Sequence, residues 1–258
     1  VIGYLAETFG YKELLRHLVA ADRKRKQKNT LLGFLWSFLN PLLTMLVYLF
    51  IFGVIFNSKV ENYPLFLFWG LLPFRAGQMA ITESASSIVR KSRLIGNVAF
   101  PRIILPLTQV LSSGYELLLT ILVLIPISLF LGGHFGPSVL LLPVILLFQF
   151  TLVCGVALIA ATLNTYFRDI ENMLPHLMRM WFYLSPGVYT INRVPERLRA
   201  FYLLNPYSVI MPAYRDMMMY GQVPDFSYWP IPIVITLLIF IVGLLLFWRQ
   251  ERDFPKLV

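Results

Sequence analysis

Long apolar runs, separated by short polar connections, constrain this chain more than any other feature. A helix needs ~20 apolar residues to cross a ~30 Å hydrocarbon layer. The chain offers such stretches at residues 31–56, 65–89, 102–131, 139–166 and 231–248, with a shorter one at 173–189. Of all residues, 58% are hydrophobic and 14% charged, where an ordinary soluble domain carries ~25% charged residues. A soluble fold would need more polar surface than these residues supply. The pattern predicts an all-α polytopic membrane protein with six transmembrane helices.

The net charge of +9 is concentrated beside the spans. Arg23, Lys24, Arg25, Lys26 and Lys28 precede the first apolar run, Arg90, Lys91 and Arg93 share one connection, and Arg249, Arg252 and Lys256 end the chain. Basic segments flanking spans mark the cytoplasmic side, so both termini are expected inside, in a cytoplasmic (inner) membrane. They also attract anionic lipid, and nucleic acid is a poor partner for charge distributed this way. No cleavable signal peptide is expected, because the first apolar segment is amphipathic and the first long run lacks a small-residue cleavage site. Cys154 is the single cysteine and reads as a small core residue.

Two pieces do not read as spans. Within residues 1–30, Tyr11, Leu14, Leu15 and Leu18 recur on one helical face while Lys12, Glu13, Arg16 and His17 occupy others. That is the pattern of an amphipathic helix in the membrane interface, or of one packed on a partner protein. Residues 190–229 mix Pro195, Pro206, Pro212 and Pro224 with arginines and aromatics. They are too broken to cross and too apolar for a free loop. Two short helices, split near Asn205-Pro206, are expected to dip back into the outer leaflet as a re-entrant region. The chain then forms one domain: interface helix 1–30, spans one to five over 31–189, the outer region 190–229, and span six with its tail over 230–258.

No catalytic constellation is visible. His17, His134 and His176 fall in three segments, which argues against a shared metal, and no phosphate-binding G-x-x-x-x-G-K-[ST] loop is present. ATP and magnesium would have to bind another chain. The costly residues are Arg75, Glu83, Glu116 and Arg179, since a charge at mid-membrane costs ~3 kcal/mol. One reading pairs Glu116 with Arg75 or Arg179 to fix helix packing. The other lets the arginines line a pathway for an anionic group such as phosphate. Segment 90–101 mixes Arg90, Lys91 and Arg93 with Leu94, Ile95, Val98 and Phe100. It is either a plain positive-inside connection or a short helix whose apolar side docks in a partner groove.

Leu32-Gly33, Trp36, Asn40-Pro41, Phe100-Pro101-Arg102, Phe167-Arg168-Asp169, Ser185-Pro186 and Asn205-Pro206 occur in this order along the chain. On a six-span frame, that series resembles the membrane (permease) subunits of bacterial type-2 ABC exporters for cell-surface polysaccharide, including O-antigen and teichoic-acid exporters. The resemblance implies a homodimer of this subunit working with two copies of an ABC ATPase. Segment 90–101, ending at Phe100 and Pro101, would be the coupling helix seated in the ATPase, with the N-terminal helix against the same partner. Pro195, Phe201, Asn205, Pro206 and Tyr207 would belong to an outer gate. The substrate would be a lipid-linked glycan, as in lipopolysaccharide export. A type-2 exporter of small hydrophobic compounds is the alternative. A membrane enzyme acting on lipid-linked sugars is disfavoured by the lack of a clustered acid, base or metal set.

Overall fold

The computed structural model describes residues 2–27 and 62–257, with scattered positions between 35 and 51. Most of the expected first span, with its Leu32-Gly33, Trp36 and Asn40-Pro41 motifs, lies outside the described residues. Among those described, regular structure is helical apart from a single bridge between His134 and Tyr220.

The N-terminal segment is two helices, α1 (Ile2–Gly10) and α2 (Lys12–Gln27), separated at Tyr11. Helix α3 (Tyr63–Ala85) is followed by two short helices, α4 (Ser87–Arg90) and α5 (Ser92–Asn97), in the connecting segment. Then come α6 (Ile104–Phe130), a 3₁₀ turn (Pro137–Leu141) and α7 (Leu142–Tyr166). Helix α8 (Ile170–Tyr183) leads to the short pair α9 (Glu196–Tyr202) and α10 (Tyr207–Met218). Helix α11 (Pro230–Gln250) and a final turn, α12 (Phe254–Leu257), complete the chain.

Four of these, α3, α6, α7 with its 3₁₀ turn, and α11, are long and apolar enough to cross a membrane. Helix α8 has 14 residues, so at ~1.5 Å per residue it is about 21 Å long and shorter than the hydrocarbon thickness. The apolar run continues past it, but Ser185-Pro186-Gly187 turns the chain where sequence reading extended the fifth span to residue 189. The two short helices expected between residues 190 and 229 are present, and they are split at Asn205-Pro206.

Helix α3 is the central post. Of its most apolar stretch, 72% is buried, against 28% for α11, which packs at the periphery. The polar second half of α3 turns inward as the cost of exposing it demands. Ser84 donates to the Pro106 carbonyl (3.2 Å), and Ser87 donates to the Ser84 carbonyl (2.7 Å). Trp69 is fully buried and donates to Ser128 (3.2 Å). Helices α7 and α11 cross backbone to backbone. A Cβ on Gly243 would stand 2.4 Å from the Gly155 carbonyl oxygen, and one on Gly155 would stand 2.7 Å from the Phe240 backbone. Small residues permit this approach, where dispersion drives helix association in lipid.

Two hydrophobic clusters result. The larger joins α3, α6, α7, α8 and α10 around Trp69, Phe74, Tyr207 and Tyr214. The smaller lies at the base, around Ile88, Ile95, Phe100, Ile104, Phe247 and Phe254. Tyr11, Leu14, Leu15 and Leu18 pack on that base cluster. The apolar face of the N-terminal helix is therefore satisfied by this chain's own core.

Candidate functional site

At the base, charges scattered through the sequence form one chain of ion pairs. Asp22, Arg25 and Lys26 share a face of α2 because they are three and four residues apart. Gln109, Ser112 and Glu116 share a face of α6 for the same reason. The two faces meet. Asp22 is buried and accepts from Ser112 (2.9 Å) and Gln109 (3.3 Å). It also pairs with Arg25 (3.0 Å) and Lys26 (3.7 Å), while Lys26 reaches Glu116 (3.2 Å). Arg23 lies 3.5 Å over the Tyr115 ring, a cation–π contact. Arg25 continues to Glu83 on α3 (3.8 Å), and Arg90 joins Glu83 to Glu171 of α8, each at 3.0 Å. The series Glu116, Lys26, Asp22, Arg25, Glu83, Arg90, Glu171 thus ties α2, α3, α4, α6 and α8 together.

Its energy is unevenly distributed. Exposed pairs such as Arg90 with Glu171 contribute ~0–1 kcal/mol each. Asp22 is different, because a buried carboxylate must keep its partners. Burial works against its ionisation, but Lys26, the Ser112 and Gln109 donors, and Arg25 outweigh burial and hold the carboxyl below its ordinary range. Beside it, burial pushes the Lys91 ammonium below its usual value, with Asp22 opposing and Arg25 reinforcing the shift.

The sequence-predicted coupling residues divide into two sets. Ile95, Phe100 and Pro101 are buried and Leu94 is half-buried against the base cluster. Arg90, Arg93 and Val98 are exposed and Lys91 is half-buried. The apolar side of this segment is thus packed on the chain's own core. What faces outward is mostly polar: Arg93, Gly96 and Asn97, with Val98 and Ala99. Beneath lies a second polar joint. Glu251, at the end of α11, is buried and accepts from the Tyr4 hydroxyl and from the Arg102 backbone N–H (2.7 Å). Burial, then the Glu251 carboxylate, push the Tyr4 phenol upward. A cavity of about 380 Å³ opens here, lined by Tyr11, Phe100, Trp248 and Arg252 among others.

At the other end the residues marked for an outer gate also divide. Pro195 and Phe201 are exposed on and beside α9, whereas Pro206 and Tyr207 are buried and Asn205 is half-buried. Asn205 is the hinge pin. Its carbonyl oxygen accepts from Trp181 (2.8 Å) and from the Tyr207 N–H (3.0 Å), and its amide donates to the Leu184 carbonyl (3.1 Å) and Ser185 hydroxyl (2.8 Å). The Ser185-Pro186 and Asn205-Pro206 motifs are therefore one joint. Arg215, on α10, is 3% exposed. It donates to the carbonyls of Phe66 (2.9 Å), Pro186 (2.6 Å) and Gly187 (2.6 Å), with its guanidinium 3.5 Å over the Phe66 ring.

Of the four candidate pathway charges, Glu83 and Glu116 belong to the base network, so Glu116 pairs with Lys26 and not with Arg75 or Arg179. Arg75 is half-buried on α3, and Arg179 is exposed on α8. Sequence reasoning missed Asp22, Lys26, Glu171 and Arg215. Asp22 carried a usable signal as an acid three and four residues before basic partners, and Arg215 as a charge inside an apolar helix. Among the described residues, no three His, Cys, Asp or Glu side chains are placed to share a metal.

The family model described as ABC-2 type transporter matches residues 13–219. The O-antigen export system permease protein RfbA of Myxococcus xanthus is 33% identical over 231 residues, covering 87% of each chain. A Klebsiella pneumoniae protein of the same name is 32% identical over 258 residues, covering 100% of this chain and 97% of that one. The polysialic acid transport protein KpsM of Escherichia coli is 23% identical over 228 residues, covering 86% of this chain and 87% of that protein.

Proposed function

This chain belongs to the ABC-2 type transporter family, and from that premise we propose that it is the transmembrane subunit of an ATP-driven exporter of cell-surface polysaccharide. One observation carries the reading: end-to-end similarity to O-antigen export permeases, over 97% of the Klebsiella protein's length. The absence of a nucleotide-binding motif in the sequence fits a division of labour in which a separate ABC ATPase hydrolyses ATP with magnesium. Two copies of this chain and two of the ATPase form the working unit in the cytoplasmic membrane. The expected first span and the short α8 (Ile170–Tyr183) bring the crossings to six, and both termini are cytoplasmic.

The base network and cluster suggest how the stroke is passed on. A push on α5 moves Ile95 and Phe100, which are embedded in the base cluster with α11. It also moves Arg90, whose two carboxylate partners sit on α3 and α8. Displacement of the connecting segment therefore reaches the two helices that rise to the Asn205 and Arg215 joints. Closure of α9 and α10 over the path would form the outer gate.

The test is genetic and biochemical together. Deleting the gene should remove the long surface glycan and leave its lipid-linked precursor on the cytoplasmic side, and the intact gene should restore export. The purified subunit with its ATPase should show ATPase activity stimulated by the lipid-linked glycan. Normal surface glycan in the deletion strain, or stimulation by small hydrophobic compounds alone, overturns the reading.

A further inference from the structure

Helix α8 presents three faces. Leu174, Met178 and Phe182 are buried against the neighbouring helices. Met173, Leu177 and Met180 form an exposed apolar row. Asn172, His176, Arg179 and Tyr183 form a third, polar row, and all four are exposed. Their spacing of four, three and four residues places them within an arc of about 60°, roughly 100° around the helix from the apolar row.

The two exposed rows cannot share one environment. An arginine facing hydrocarbon costs ~2.5–3.5 kcal/mol at mid-membrane, and such residues turn to protein or a wet cavity. Among the described residues, no hydrogen bond or ion pair occupies the side chains of Asn172, His176 or Arg179. The row is about 16 Å long, and it runs from the base network to a tyrosine contact with α9. Asn172 follows Glu171, the last member of the base network. At the far end the Tyr183 carbonyl accepts from Tyr189 (3.1 Å), whose hydroxyl accepts from Tyr202 of α9 (2.9 Å). Its charge is of one sign. The nearby carboxylates, Asp169 and Glu171, are confined to the base end, and Glu171 is taken by Arg90.

We propose that Asn172, His176, Arg179 and Tyr183 line the water-filled path of transport, and that Arg179 with His176 attracts the anionic groups, phosphate or carboxylate, of the exported hydrophilic chain. The proposal rests on the transport reading above and adds to it the substrate's charge and the face of the helix along which it travels. The Arg179 cation and the Asn172, His176 and Tyr183 hydrogen-bonding groups meet the anionic groups and hydroxyls, and the tyrosine end offers a flat apolar surface to sugar rings.

Thiol reactivity in native membranes tests this without relying on export. In a Cys154→Ser background, cysteines replace Asn172, His176 or Tyr183 singly, and Met173, Leu177 or Met180 as the comparison row. Each is treated with an anionic (ethylsulfonate) and a cationic (ethylammonium) methanethiosulfonate. The polar row should react and the apolar row should resist. At His176→Cys and Tyr183→Cys the anionic reagent should be favoured, and adding Arg179→Gln should reduce that preference by about tenfold, the factor expected from losing one nearby charge of low screening. Equal reactivity of the two rows, or a preference untouched by Arg179→Gln, overturns the proposal. If the thiols behave as expected while the deletion strain keeps its surface glycan, the path stands and the polysaccharide reading falls.

Discussion

Arg215 keeps its charge inside the protein because each of its three nitrogens meets a carbonyl, two of them from the turn that ends α8. A lysine is a compact point charge and cannot reproduce that planar fork. Arg215→Lys should therefore lower stability by about 3 kcal/mol, the scale for breaking a buried charge contact, read by SDS-induced unfolding in mixed micelles. The same site explains Gly70. A Cβ there would stand 1.9 Å from an Arg215 nitrogen, so Gly70→Ala should displace the guanidinium and destabilise by a similar amount. Because both changes act on one contact, they should not add. In an Arg215→Met background, Gly70→Ala should cost little, and full additivity in that double variant would show that the contact does not hold the joint. The Ser185-Pro186 and Asn205-Pro206 motifs were visible in the sequence, but their union was not. A side chain that bridges positions twenty residues apart leaves no periodic trace.

Helix α2 shows what periodicity can and cannot tell. Its apolar face was legible from Leu14, Leu15 and Leu18, since a 3.6-residue repeat fixes which side chains share a side. The occupant of that face was not legible, because the base cluster is assembled from segments far apart in the chain. The ion pairs carry the same lesson. Charge at residues 22–26, 83, 90, 116 and 171 was plain, while the pairing depended on helix packing, and the expected Glu116 partners were wrong for that reason. The docking of α2 on α6 has a pH dependence with a definite sign. Asp22 is held below its ordinary carboxylate range in the folded protein, so the docked state binds fewer protons than the undocked one. Its contribution is fully present above the ordinary value of ~3.9 and is lost as pH falls through the depressed folded value. A fluorescent label at Lys24→Cys in a Cys154→Ser background should report α2 releasing only below about pH 4. Asp22→Asn should dock more weakly at neutral pH and lose the acid step, and an unchanged acid midpoint in that variant refutes the assignment. Between helices α7 and α11, Gly243→Leu should separate the crossing, given the 2.4 Å that a Cβ would leave to the Gly155 oxygen. A loss of several kcal/mol is expected from such overpacking against backbone, above the ~1–3 kcal/mol seen for flexible cores. Gly243→Leu with wild-type resistance to SDS would place the two helices further apart than described.

At the scale of the whole molecule, two hydrophobic clusters are joined by one central helix, and each carries a polar joint. The base holds the ion-pair chain and the buried Glu251, and the far end holds Asn205 and Arg215. Helices α3 and α8 touch both, so a force applied at the base has a rigid route to the other end. Ile95 and Phe100 belong to the base core, so their loss should damage stability first. Phe100→Ala should cost ~3–5 kcal/mol, as large-to-small changes of buried aromatics do. Arg93 and Val98 face outward and should be silent in stability yet decisive for the ATPase. Arg93→Glu with Val98→Asp should abolish co-purification with the ATPase while SDS and thermal unfolding stay at wild-type values, because surface substitutions usually fall within ~0.5 kcal/mol. The opposite pattern, in which Phe100→Ala keeps its stability but releases the ATPase, would mean that the buried face opens to receive the partner. The outward row would then be bystander surface, and the stroke would enter the molecule through the base core itself.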